Sequence, residues 1–259
     1  MHVTSYLKVK SFVDVNFRNS ASRRLRILDV GSKSYEGHAA YRSLFDGIEV
    51  DYVGLDLESG PGVDIVPAQP FVWQELANEA FDVCLCGQVF EHNPMFWITF
   101  AEIARVLKPS GLAMVIAPGR GAVHRYPVDC WRFYPDAWHS LCSYTGLELV
   151  ETFFEDRGNR RREPSLMWCD SCVIAKKPVL EIATERDGFY KRLETIAATA
   201  PMTFVAPQKS EQIGPVFSHY LSSIDYPDRK PLRARPRTNP ISKCVKWLMR
   251  GVRGTTRTQ

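Results

Sequence analysis

No run of apolar residues in this chain approaches the ~18 that a membrane-spanning helix needs. The opening residues MHVTSYLKVK lack the apolar core of a secretory signal. The seven cysteines are odd in number and scattered over 259 residues, which argues against a disulfide framework and for reduced thiols in the cytoplasm. No internal repeat is visible. Acidic residues are absent from Arg229 to the end, a stretch holding ten Lys or Arg. The other 23 basic residues face 29 acidic ones, so an acidic body carries a strongly basic tail although the whole chain is +4. What is present suits one α/β domain with chain to spare: 45% apolar residues supply a core, and 24% charged residues are ordinary for a soluble protein.

Two phosphate-binding signatures are missing as well. The segment Ile27-Leu-Asp-Val-Gly-Ser-Lys-Ser-Tyr-Glu-Gly37 reads as a strand that breaks at Gly31 and restarts as a helix over 38–45. A P-loop needs GxxxxGK[ST], and here the glycines are one residue too far apart and the lysine is lacking. A dinucleotide fingerprint needs GxGxxG, and position 33 is Lys. The pattern that remains is Asp29-x-Gly31 at one strand end and Asp56 closing the next strand, Val50–Leu57. A carboxylate at Asp56 suits a ribose diol, and Asp29 suits a cationic amino-acid group better than a pyrophosphate. A nucleoside joined to an amino acid without phosphate is S-adenosylmethionine. An ordinary strand-turn-helix is the competing reading of this stretch alone.

Further along stand Phe81-Asp-Val-Cys-Leu-Cys-Gly-Gln-Val-Phe-Glu-His92 and Ile103-Ala-Arg-Val-Leu-Lys-Pro-Ser-Gly111. With Leu28-Asp-Val-Gly-Ser32, these blocks resemble the class I S-adenosylmethionine-dependent methyltransferases, in the family's order, over roughly residues 25–177. The resemblance implies a Rossmann-like, doubly wound, mostly parallel sheet with an antiparallel last strand. It implies S-adenosylmethionine as cofactor, held by Asp29, Gly31, Ser32, Lys33, Gly37, Asp56 and Leu57, with Gln88 near the methyl donor. Lys33 stands where many relatives have Gly. The family also places a polar residue beside the adenine just after its third strand, here expected at Val63–Val66. Pro67-Ala68 occupy that place, which leaves Asp64 or Gln69 as substitutes. Ser110 replaces a usual Gly and is compatible with a type I turn.

The remaining organisation follows from pattern. Residues 1–24 read as a helical lead-in and 25–178 as the methyltransferase domain. A helical or irregular extension covers 179–228, with Phe189, Leu193, Ile196 and Ala197 on one helix face, and a basic linker with an amphipathic helix covers 229–259. Pro94 opens a helix through Leu107, Leu112–Ala117 is a fifth strand, and Leu147–Phe154 with Met167–Lys176 form a long hairpin. Ile241, Cys244, Val245, Leu248, Met249 and Val252 line one face of the terminal helix, with Lys and Arg opposite. Such a helix suits an anionic membrane surface through 240–253, or docking on a protein face. No nucleic-acid motif accompanies it.

The acceptor side is expected from Arg120–Pro135, which follows the fifth strand and overhangs the same sheet edge. His124 is the candidate general base, with Asp129 to orient or replace it and His92 as a further catalytic candidate. Arg125 and Arg132 could clamp an anionic group, and Tyr126 and Trp131 could contact the acceptor. The competing readings are a packed aromatic plug, an Asp129–Arg132 structural ion pair and a His92 satisfied by backbone. No metal site is expected, since Cys169-x-x-Cys172 has no second pair near it. The acceptor reads as a small molecule, a sugar or a lipid-linked group. A non-catalytic scaffold that keeps the fold is the alternative.

Overall fold

The computed structural model describes residues 3–18, 24–34, 40–156 and 164–204. Gly37 and the basic tail lie outside these residues. The central strands form where apolar residues dominate, as a sheet buried on both faces requires. β1 (Leu25–Val30), β3 (Phe81–Gly87) and most of β4 (Leu107–Pro118) are buried along their length. With β2 (Val50–Leu55), β5 (Glu148–Phe154) and β6 (Asp170–Lys176) they make a six-stranded sheet in the order β2-β1-β3-β4-β6-β5. The first four pair in parallel, and β6 runs antiparallel to both β4 and β5. The fold is the Rossmann-like, doubly wound arrangement expected from the sequence.

Helices cover both faces. On one, α1 (Val3–Asn16) presents Val9, Phe12 and Val13, at i, i+3 and i+4, to Ile27, Tyr52, Val83, Leu85 and Ile116. On the other, α2 (Phe96–Val106), α3 (Pro135–Thr145) and α4 (Ala183–Ala197) pack against Leu28, Cys84, Cys86 and Val115. Cys84 and Cys86 are thus core residues. α3 was not foreseen, although its signals are local: Pro135 sits in its first turn, and Gly146 ends it at φ +84° with its N–H donating to Cys142 O.

Three expectations are corrected. Val63–Val66 is no strand; it contributes one bridge, Leu55 to Ile65. Asp64 Oδ2 takes the Gly54 N–H at 2.8 Å, so a side chain occupies a donor a ladder would use, and Pro67 ends the segment. The helix expected over 38–45 is, in its described part, a short 3-10 turn at Tyr41–Phe45. Finally, Ser110 adopts φ +62°, which the third position of a type II turn requires and a type I turn does not. The register jumps there from Phe81–Leu107 to Val83–Leu112. Lys177 pins the bulge, its N–H donating to Gly111 O and its carbonyl accepting the Ser110 N–H.

Candidate active site

The carboxyl ends of β1, β2, β3 and β4 meet at one edge, where open α/β sheets bind ligands. Gly31 leaves β1 at φ +80°, and a Cβ there would stand 2.2 Å from Val89 Cγ2, so only glycine lets the β1 and β3 loops pass each other. The Gly31 and Ser32 amides donate to Leu55 O. Asp56 then closes the loop: Oδ2 accepts the Lys33 N–H at 3.0 Å and Oδ1 the Glu58 N–H at 3.2 Å. Ser34 N–H donates to Pro61 O, binding the two loops together. The Lys33 side chain reaches Glu58 at 2.6 Å, and Leu57 is exposed. Asp64, besides its bond to Gly54, pairs with Arg42 at 2.9 Å.

Asp29 lies buried beneath this loop, accepting the Tyr52 hydroxyl at 2.8 Å. Burial raises its pKa to about 7, against the lowering effect of the Tyr52 bond. At the same sheet edge, Ser32 Oγ, Tyr41 Oη and Gln88 Oε1 are buried with no hydrogen-bond partner among the described residues. Gln88 turns at φ +61° at the end of β3, and its amide nitrogen donates to Asp170 Oδ1 at 3.0 Å and to Ser5 Oγ at 2.9 Å. Asp170 also accepts from Thr4, Ser5 and Lys8 through Oδ2, so it ties α1 to the end of β3. Asp170 escaped the sequence reading, because it lies at the start of the antiparallel strand, far from either motif.

The acceptor-side residues converge beside the β3 loop. His124 and His92 rings meet edge to face with centroids 4.8 Å apart, and Trp168 lies 4.3 Å from His124. Asp129, its side chain only 2% exposed, accepts the His124 N–H at 2.7 Å and stands 3.3 Å from His124 Nδ1. Arg132 grips it with both terminal nitrogens, at 2.5 and 2.7 Å. Burial pushes the Asp129 pKa up, but the Arg132 bonds, the His124 N–H and both cationic neighbours outweigh it and hold the group low. His92 Nδ1 lies 2.6 Å from Val128 O, and burial lowers its pKa. Trp131 packs on Phe96 and donates Nε1–H to Asn93 O, Tyr126 is exposed with its ring 6.3 Å from His92, and Arg125 is exposed.

Glu91 was not singled out from sequence. Its side chain is 1% exposed, neither carboxyl oxygen has a hydrogen-bond partner among the described residues, and burial raises its pKa to about 8. Its carbonyl accepts the Cys130 and Trp131 amides, which stitches the acceptor loop to the end of β3. Its position directly before His92 was the only available signal.

A parallel sheet closed by an antiparallel pair, with a glycine turn after β1 and a carboxylate after β2, defines the class I methyltransferase fold. Comparison with known proteins agrees. A family model described as a methyltransferase domain matches residues 36–115. An uncharacterized methyltransferase of Mycobacterium ulcerans is 33% identical over 101 residues, covering 34% of this chain and 37% of that protein. One from Mycobacterium marinum is 32% identical over 104 residues, covering 34% and 37%. The match thus spans little more than a third of these relatives' own length. Among solved structures, the Burkholderia thailandensis 1,6-didemethyltoxoflavin-N1-methyltransferase superposes with a TM-score of 0.51 at 15% identity, covering 68% of this chain and 79% of that one. The methyltransferase bound to the Haloferax volcanii Trm112 activator does so at 0.50 and 14% identity, covering 70% and 91%. Over residues 36–115 the chain is similar to methyltransferase domains, and its fold is that of the class I S-adenosylmethionine-dependent methyltransferases.

Proposed function

We propose that this protein transfers the methyl group of S-adenosylmethionine to an acceptor held by the 120–135 loop. The observation that carries the reading is the set of groups around Gly31. Asp29 is a buried carboxylate close to Tyr41, and three buried polar atoms at this sheet edge, on Ser32, Tyr41 and Gln88, have no hydrogen-bond partner among the described residues. These groups match the ammonium and carboxylate of the cofactor's amino-acid end. Asp56 fits the ribose: each oxygen gives one lone pair to a loop amide, and a carboxylate has about four such sites, so two remain for a diol. When bound, the cofactor supplies an electrophilic methyl on a sulfonium, displaced in line by the acceptor atom.

The protein's own share is alignment and proton removal. Asp129 is committed to Arg132 and held ionised, which suits it to orient His124 rather than to act as the base. In the ion-free site His124, with its side chain 32% exposed, is the group placed to take a proton from an acceptor hydroxyl or ammonium. Arg125 stands exposed on the same loop, in place to meet an anionic acceptor. A sugar or lipid-linked hydroxyl fits this reading, with the basic tail supplying contact to an anionic surface; liposome flotation with and without residues 229–259 tests that part, and equal flotation would end it.

One observation favours the scaffold alternative: the β1 and β2 loops are already bonded to each other across Ser34 and Pro61. Calorimetric titration with S-adenosylhomocysteine decides between the two. Binding by native protein that Asp29→Asn and Asp56→Asn each weaken supports the enzyme; a folded protein that does not bind would leave the scaffold.

A further inference from the structure

We propose that Glu91, His92 and His124 form a binding site for one divalent transition-metal ion on the acceptor side of the sheet edge. One carboxylate oxygen and one ring nitrogen from each histidine all lie within 4.8 Å of one another. One pair, His92 Nε2 and Glu91 Oε1, is 3.6 Å apart. Ligands at ~2.0–2.1 Å on a tetrahedral ion are about 3.3 Å from each other, so this edge already has the spacing that coordination needs.

The proton arrangement points the same way. His92 Nδ1 lies 2.6 Å from Val128 O, and a carbonyl can only accept, so Nδ1 carries the hydrogen. Nε2 therefore presents a lone pair toward a buried carboxyl whose two oxygens have no hydrogen-bond partner among the described residues. At 3.6 Å the two groups are too far apart for a hydrogen bond, and a cation between them would satisfy both, displacing the proton that burial otherwise keeps on Glu91. His124 repeats the pattern. Its Nδ1 is 3.3 Å from Asp129 Oδ2 and 3.4 Å from Ala122 O, both acceptors. Arg132 Nη2 approaches the same nitrogen at 3.5 Å, but its shorter bonds go to Asp129 and Ala122 O. Nε2 of His124 is thus the second lone pair.

Behind each imidazole stands the outer partner that metal-ligating histidines use, a backbone carbonyl for His92 and a carboxylate for His124. Arg132 in turn immobilises that carboxylate. Two imidazoles and one carboxylate suit Zn²⁺, Fe²⁺, Co²⁺ or Ni²⁺ rather than Mg²⁺ or Ca²⁺, which favour all-oxygen sites. Three protein ligands leave a coordination position for water or for an oxygen of the acceptor. That last role rests on the methyl-transfer reading; the ion site itself does not.

The test uses full-length protein stripped with chelator and dialysed, titrated with Co²⁺ by visible absorption and with Zn²⁺ by calorimetry, without cofactor. One equivalent is expected to bind, with affinity reduced at least tenfold in His124→Ala and in Glu91→Gln and unchanged in Cys130→Ser. His124 is partly exposed, so its variant folds even if Glu91→Gln does not, and circular dichroism checks both. No binding by native protein, equal affinity in His124→Ala, or loss in Cys130→Ser would overturn the proposal. Titrating the stripped protein with S-adenosylhomocysteine keeps the two readings apart, since either ligand can bind while the other fails.

Discussion

Arg132 holds Asp129 in a two-pronged grip, Nη1 to Oδ1 at 2.5 Å and Nη2 to Oδ2 at 2.7 Å, and Asp129 in turn holds the His124 backbone N–H at 2.7 Å. The pair is structural in construction and functional in effect, because it sets where one imidazole stands. Removing Arg132 leaves a nearly buried carboxylate without its cation. Arg132→Ala is expected to destabilise the fold by about 2 kcal/mol, discounted from the larger cost of breaking a fully buried pair because Arg132 is partly exposed. Asp129 has a lowered folded pKa, so its contribution is present above pH ~4 and is lost as pH falls through the folded value. Urea denaturation of both proteins at pH 7 and near pH 3 checks this: the gap should shrink in acid.

Asp29 works in the opposite direction. Its folded pKa, about 7, lies above the unfolded value, so the native state binds the proton more tightly. Stability from this group is full below pH ~4 and declines as pH rises toward 7. Asp29→Asn removes that decline. The variant should be more stable than native protein at pH 8 by roughly 1–3 kcal/mol, yet bind S-adenosylhomocysteine at least tenfold more weakly. Equal slopes of stability against pH in the two proteins would refute the assignment.

Gly31→Ala meets two separate penalties. The left-handed φ of +80° costs an L-residue about 1–2 kcal/mol, and the new Cβ overlaps Val89 Cγ2. A total loss of roughly 2–4 kcal/mol is expected. Val89→Ala removes the overlap but not the backbone strain. A double-mutant cycle should therefore return a favourable coupling on the order of 1 kcal/mol, and additive losses would show that the two loops do not touch as described.

Ser110→Gly is expected to stabilise. The serine occupies φ +62° at a position where glycine is unstrained, and its relief outweighs the extra freedom glycine gives the unfolded chain. A gain of about 0.5–1 kcal/mol in chemical denaturation is the expected outcome, and a loss would mean that the Ser110 side chain makes a compensating contact.

Much of the frame was legible in the sequence because it is written in local terms. The mostly apolar runs at Leu25–Val30 and Phe81–Cys86 announce buried strands, and Gly31 and Asp56 mark where the first and second strands release the chain. The missed features failed for identifiable reasons. Val63–Val66 carries strand-like residues, but the Asp64 side chain takes the Gly54 amide and backbone pairing is limited to the bridge at Ile65. Ser110 reads as an acceptable type I turn until the Lys177 backbone, more than sixty residues away, sets the bulge around it.

The sequence by itself determined most of the strands, the two acidic strand ends and the density of chemistry in 120–135, since periodicity, glycine and charge act within a few residues of themselves. Only the tertiary structure decided what those residues face. It buried Glu91 without a partner, turned the lone pair of His92 toward it, and brought His124 beside them from a loop on the next strand. It also linked Gln88 to α1 through Asp170. Such relationships depend on side-chain direction and on the exclusion of water between segments distant in the chain, and neither is encoded in any short stretch.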